Sequence, residues 1–198
     1  MPQLSGDELN KMGFAGLGEN VLISDRASFY NCKAITIGDN VRIDDFCVLS
    51  AGVGGINIGS FVHIAVGTTL IGAGKITLSD FSNLSSRVSI YSSSDDYSGV
   101  TMTNPMVPNK YTGVLHADVF LGKHVIVGSG SVILPGLTLE EGVAVGALSL
   151  VRCDCKAFGI YAGNPARRMK ERKRNLLKLE ELFWADFKAE AAVDVPQK

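Results

Sequence analysis

The side chains able to move protons are few. The chain holds three histidines, His63, His116 and His124, and the adjacent acids Asp95 and Asp96 stand in a run of small polar residues, SSSDDYS. Two adjacent carboxylates can hold a polar or cationic group. A carboxylate with an ordinary pKa near ~3.9 is a weak base for a hydroxyl, yet it suits an amine, which needs no strong base once neutral. Asp95 and Asp96 are therefore the first catalytic candidates. His116, in VLHADVF, is the second, as a general base. Asn83 and Tyr97 are candidates to bind an acceptor, and each is equally suited to satisfying a turn. His63 and His124 read as surface residues of the elements that carry them. A catalytic zinc needs three protein ligands, commonly histidines. Here His116 and His124 are eight residues apart and His63 is remote, so no metal is expected. Cys32, Cys47, Cys153 and Cys155 read as reduced, structural thiols.

These groups need a scaffold, and composition narrows it. With 198 residues, 46% apolar and 20% charged, the chain can bury one substantial core. No stretch reaches the ~18 unbroken apolar residues of a membrane span. Lysine and arginine total 19 against 20 acids, so the net charge of -1 gives no electrostatic case for nucleic acid. The start, MPQLSGDELNKMGF, lacks the basic and apolar regions of a secretory signal, which places the expectation in the cytoplasm. There are 22 glycines against 6 prolines, a bias that calls for a structural reason.

The reason is a repeat. Hexads led by an aliphatic residue begin at Leu17, Ile23, Ile37, Ile43, Ile58, Ile64, Leu78 and Leu84, and again at Leu121, Val127, Ile133, Leu139 and Val145. Period six fits neither the 3.6 of a helix nor the 2 of a simple strand. The runs restart at 17, 37, 58 and 78, then at 121 and 139, so each larger unit is three hexads with two or three residues added at a corner. The pattern predicts a three-sided coil whose leading aliphatic residues point inward and stack, with Gly, Asp and Asn in the turns. The expected class is all-β: a parallel β-helix of three hexads per coil, over 1–165.

Two segments depart from it. Between Ile90 and Leu121 the hexads stop, and 91–120 reads as an extruded loop stiffened by Pro105 and Pro108, an arm closing over a site. After the last coil comes GNPARRMKERKR, then Leu176, Leu179, Leu182 and Phe183 at helical spacing. Gly163, Asn164 and Pro165 predict a turn with proline opening a helix, so 166–198 reads as a C-terminal helix and tail. That helix is expected to pack its apolar face on the coils and to block their open edge. Six basic residues between Arg167 and Arg174 form either a solvated surface or a phosphate-binding patch.

The hexads from Leu17 to Arg167 resemble the hexapeptide-repeat acyltransferases, and GNPAR resembles the closing turn of the acetyltransferases that modify sugars and sugar nucleotides. The resemblance implies a left-handed helix, against the usual crossover rule, and acetyl-CoA as co-substrate, with no metal. It places the pantetheine arm along Val127 to Leu150, with the Ser129 amide at the thioester, Ala147 against pantetheine and Gly163, Asn164, Pro165 and Arg167 at the closing turn, Arg167 meeting phosphates. It implies a homotrimer with the groove between subunits. Relatives carry a histidine just after the last hexad before the arm; a gapless reading puts Asp95 there instead, which favours an amino-sugar acceptor. The expected reaction is direct attack on the thioester by an amino or hydroxyl group of a sugar or nucleotide-linked sugar, with no acyl-enzyme. The rivals are a non-catalytic assembly module and a metal-dependent hydratase of the γ-carbonic anhydrase type.

Overall fold

The inward stacking is present in every coil. The computed structural model describes residues 2–193, the side chains of 189–193 excepted. Three sheets form a triangular prism: six parallel strands from Gly16–Leu17 to Thr138–Leu139, eight strands from Leu22–Ile23 to Arg167–Glu171, and six parallel strands from Ser28–Tyr30 to Leu150–Val151. On the first face Leu17, Ile37, Ile58, Leu78, Leu121 and Leu139 stand in one register column. On the second, Ile23, Ile43, Ile64, Leu84, Val127 and Val145 do the same. On the third the column runs Phe29, Leu49, Leu70, Ile90, Ile133 and Val151. Most of these side chains are buried completely, because alternate residues of each strand face inward and each column closes on its own neighbours in the coils above and below.

The arm leaves this stack undisturbed. Leu78 pairs directly with Leu121, Leu84 with Val127 and Ile90 with Ile133, so the coil after the arm lands on the coil before it. The residues added to the early coils sit between the third and first faces, where Cys32–Ala34 forms a short 3-10 turn.

The glycine excess has two causes, turn geometry and the close approach of successive coils. The fourth residue of most hexads takes positive φ at both regular corners; Gly142, Gly67 and Gly130 do so, but so do Asn20, Asn40, Phe61, Phe81 and His124 at the first and Phe46, Arg87 and Leu148 at the second. In six hexads glycine also stands just after the inward residue, as at Gly59, where successive coils nearly touch. A Cβ on Gly59 would lie 2.4 Å from Asp80 Oδ1 and 2.8 Å from the Asp80 amide nitrogen.

The ends are closed differently from expectation. Helix α1, Gly6–Lys11, opens on a Ser5/Glu8 capping box and lowers Leu9 into the core at the first coil. At the other end Pro165 does not open a helix. The chain continues as the strand Arg167–Glu171, antiparallel to Gly159–Ala162, because the last coil would otherwise leave an unpaired strand edge. Helix α2 begins only at Asn175 and runs to Val193, and it covers a corner of the prism rather than its end.

At that corner Phe61, Phe81 and His124 stack face to face in successive coils, with centroids 5.1 and 5.0 Å apart. Phe183, Trp184 and Phe187 of α2 meet Phe61 edge-on, and the first two also meet Phe81. The packing face is thus Leu176, Glu180, Phe183, Trp184 and Phe187; Leu179 and Leu182 are 63% and 54% exposed. Glu180 fastens the helix, accepting hydrogen bonds from Lys123, His124 (2.7 Å) and Trp184 Nε1 (3.0 Å). Burial pushes its pKa up, but those three donors outweigh burial and hold it at about 2. A depressed carboxylate pKa contributes stability above its unfolded value and loses it as pH falls toward the folded one. Acid titration is therefore expected to loosen α2 between about pH 4.5 and 2, followed by the emission of Trp184, the single tryptophan. The E180Q variant lacks that transition; if it keeps the same acid profile, Glu180 does not hold the helix.

Candidate active site

The arm begins as a short antiparallel ladder. Ser93–Ser94 pairs with Leu115–His116, Ser93 opposite His116, so a serine just outside the third face stands beside a histidine 23 residues later. Ser93 Oγ lies 2.7 Å from the Ala73 amide nitrogen, which donates to it, and 2.8 Å from His116 Nδ1. Asp95 follows on the same strand end. Its side chain lines two cavities, one of about 680 Å3 under the arm with His116, Ile71, Val107 and Val114, the other of about 410 Å3 against Tyr91, Val132, Leu134 and Pro135. Ser93 borders both. Among the described residues no group donates a hydrogen bond to the Asp95 carboxylate.

Asp96 faces elsewhere. It accepts hydrogen bonds from the backbone amides of Ser98 and Thr101 and from the Thr101 hydroxyl, and the Ser98 and Thr101 donors lower its pKa strongly. Asp96 therefore shapes the first turn of the arm and lines neither cavity. Tyr97 borders the smaller cavity and is 93% exposed. Asn83 lies apart, on the outer side of the second face between His63 and Ile126, with its Oδ1 shielded and without a hydrogen-bond partner. His63 pairs with Asp44 at 2.9 Å and His124 with Glu180, so the three histidines serve three separate neighbourhoods. Among the described residues no three His, Cys, Asp or Glu side chains converge as a metal site. The four cysteines are free, and burial pushes the Cys47 and Cys155 thiols up to about 11 and about 12.

The other half of the site lies along the second corner. Ser129 and Ala147 occupy the same position in successive coils, both exposed, and neither amide donates to a described residue. Gly128 lets these coils close up: a Cβ there would stand 2.5 Å from the Ala147 nitrogen. The GNPAR turn is stapled to this corner. Gly163 donates its amide to Ser149 Oγ at 3.0 Å and accepts from the Leu150 amide, and the Ala166 amide donates to the Leu150 carbonyl; the Asn164–Pro165 bond is cis. Val132 and Leu150 stand in register on the third face, so the corner runs directly into the wall of the smaller cavity.

The basic run divides in two. Arg172 donates to the carbonyls of His124 and Gly142, Arg174 lies over the Phe158 ring and Arg168 pairs with Glu171. Arg167 is exposed beside the turn and, among the described residues, has no ion-pair partner. Sequence reasoning missed Ser93. Its polar run was visible, but only the ladder reveals which histidine it meets.

A triangular parallel β-helix with an extruded arm, a row of outward amides at one corner and a free carboxylate at the arm's root is the frame of a hexapeptide-repeat acyltransferase. No family model matches the chain. A dTDP-4-amino-4,6-dideoxy-D-glucose acyltransferase from Escherichia coli is 56% identical over 183 residues, covering 92% of this chain and 95% of that protein. The crystal structure of AntD, an N-acyltransferase from Bacillus cereus, in complex with dTDP and 3-hydroxybutyryl-CoA shares 46% identity at a TM-score of 0.91, covering 95% of this chain and 100% of that one. A serine variant of AntD in complex with dTDP-4-amino-4,6-dideoxyglucose and coenzyme A matches at a TM-score of 0.90, covering 93% and 98%. The chain belongs to the sugar-modifying hexapeptide-repeat acyltransferases, enzymes of the left-handed parallel β-helix fold.

Proposed function

We propose that the protein transfers a short acyl group from its coenzyme A thioester, acetyl-CoA first, to the amino group of a nucleotide-linked deoxyamino sugar. The observation that carries this reading is the unpartnered Asp95 carboxylate between two cavities at the root of the arm. The amine nitrogen attacks the thioester carbonyl, the new N–C bond forms and the carbonyl oxygen takes the negative charge. The Ser129 amide, which donates to no described residue, donates to it. Asp95 takes the proton released by nitrogen, and collapse breaks the C–S bond, the thiolate leaving as coenzyme A and taking up that proton. Ala147 and the turn at Gly163, Asn164 and Pro165 line the donor's path, with Arg167 at its phosphates. Tyr97 stands over the smaller cavity, where the acceptor amine meets the acyl group, while Asn83 reaches substrate only from the second face.

The relatives support the reading. AntD was crystallised with an aspartate replaced by alanine or asparagine and with a serine replaced by alanine, cysteine or threonine, the two positions ten residues apart. Ser85 with Asp95 and Ser86 with Asp96 have that separation here, and of the two acids Asp95 faces the cavities. An active homotrimer is part of the proposal: the arm presents Tyr97, Val100 and Met106, 85–93% exposed, for cover by a second copy. No described helix is long and apolar enough to cross a membrane. Since the donor and the nucleotide-linked acceptor are both dissolved, charged compounds, the cytoplasm suits the reaction.

Thiol release with acetyl-CoA tests this directly. A dTDP-linked 4-amino-4,6-dideoxy sugar is expected to exceed its 4-hydroxy counterpart by at least about a hundredfold in kcat/KM, since the weak base at Asp95 serves an amine and not an alcohol. Equal rates would refute the amine assignment. The smaller cavity has room beyond an acetyl methyl, so 3-hydroxybutyryl-CoA is expected to work within about tenfold of acetyl-CoA.

A further inference from the structure

The hydroxyl and imidazole at the arm's root have only one arrangement of protons that satisfies both. A backbone amide can only donate, so the Ala73 N–H, 2.7 Å away, occupies a lone pair of Ser93 Oγ. The hydroxyl has one proton left to give, and among the described residues the acceptor in reach is His116 Nδ1 at 2.8 Å. A neutral imidazole that accepts at Nδ1 carries its own proton on Nε2. The reverse arrangement, with the ring donating, would bring two donors to the serine oxygen and leave the serine proton without a protein partner.

We propose that Ser93 is a positioning residue that fixes His116 as the Nε2–H tautomer, so that His116 meets an oxygen of the bound sugar nucleotide as a hydrogen-bond donor. Proton acceptance then belongs to Asp95 alone. The inference rests on the arm's root being the acyl-transfer site, and it divides roles that the sequence leaves open between an acid and a histidine. The geometry suits the task. Ser93 is held by the strand register opposite His116 and by an amide of the neighbouring coil, so its hydroxyl is fixed before the ring docks on it. His116 lines the 680 Å3 cavity, and among the described residues no group engages its Nε2. A donor fixed in advance loses little freedom when substrate arrives.

Two measurements test it on the intact protein. Long-range 1H–15N correlation spectra of histidine-labelled protein, with His63→Gln and His124→Gln variants for assignment, are read at about pH 8.5, where an unperturbed imidazole is neutral. His116 is expected as the Nε2–H tautomer, S93A as a mixture of both tautomers and S93T as the single form restored. In kinetics, the side-chain amide of H116Q stands where the Nε2–H stood and is expected to keep kcat within about fivefold, whereas H116A and H116N fall at least about twentyfold. An Nδ1–H tautomer in the unaltered protein, an unchanged tautomer in S93A, or equal losses in H116Q and H116A would each overturn the inference. Because the spectra need no turnover, failure of the protein to transfer acyl groups would sink the proposed reaction while leaving the tautomer result standing.

Discussion

Replacing Asp95 by Asn is expected to lower kcat/KM for an amino-sugar acceptor by about a hundredfold, close to 2.7 kcal/mol of barrier, with the fold intact. Asparagine keeps the shape and loses both the charge that attracts an ammonium group and the lone pair that takes its proton. The residue has no structural employment that the change would disturb, since it is exposed and accepts no hydrogen bond from a described residue. Asp96 supplies the control. Its carboxylate holds the amides of Ser98 and Thr101 and the Thr101 hydroxyl, so D96N acts through the shape of the arm. It is expected to raise KM more than it lowers kcat. Initial rates of thiol release at saturating acyl-CoA separate the two acids. If D95N retains more than about a tenth of the activity while D96N abolishes it, the roles have been assigned to the wrong neighbour.

The scaffold was legible because period six is a strong signal: an aliphatic residue at each sixth position can face inward only if the chain coils in threes. The register columns from Leu17 and Ile23 follow from it, as does a break in the coils after Ile90, but Tyr91 and Val119–Phe120, expected in the loop, belong to strands of the third and first faces. The ends were not legible. A proline after Gly-Asn starts a helix as readily as a strand, and what decided at Pro165 was the unpaired edge of Gly159–Ala162, a property of the last coil that no local pattern carries. The helical face was misread for a related reason. Leu179 and Leu182 are apolar, yet α2 is oriented by Glu180 and by rings that pair with Phe61 and Phe81, residues about a hundred positions upstream. The sequence offered Asp95, His116 and Ser129 as candidates; the structure brings the first two to one cavity and leaves Ser129 exposed at the second corner. By residue type Asp95 and Asp96 are equivalent; in the structure the turn that Asp96 closes tells them apart.

Phe81 offers the largest expected loss of stability outside the prism, and an unusual order among its variants. Its ring lies between Phe61 and His124, takes edges from Phe183 and Trp184, and carries the Lys123 ammonium at 5.5 Å. Removing it unseats α2 from the corner, which is expected to cost about 3 kcal/mol in F81A. Phe81 also holds φ at 58°, a conformation that costs any residue with a Cβ about 1–2 kcal/mol. F81A loses the ring and keeps that strain. F81G loses the same ring but releases the strain, at an entropic cost of about 0.5–1 kcal/mol in the unfolded chain. The glycine variant is therefore expected to be as stable as the alanine variant or more so, the reverse of the order in an ordinary strand or helix. Urea unfolding monitored at Trp184 gives both midpoints, since that residue reports on α2 itself. A glycine variant less stable than alanine by about 1 kcal/mol would mean that the corner bears no strain at this residue. The stacked column would then have to be held by ring contacts alone.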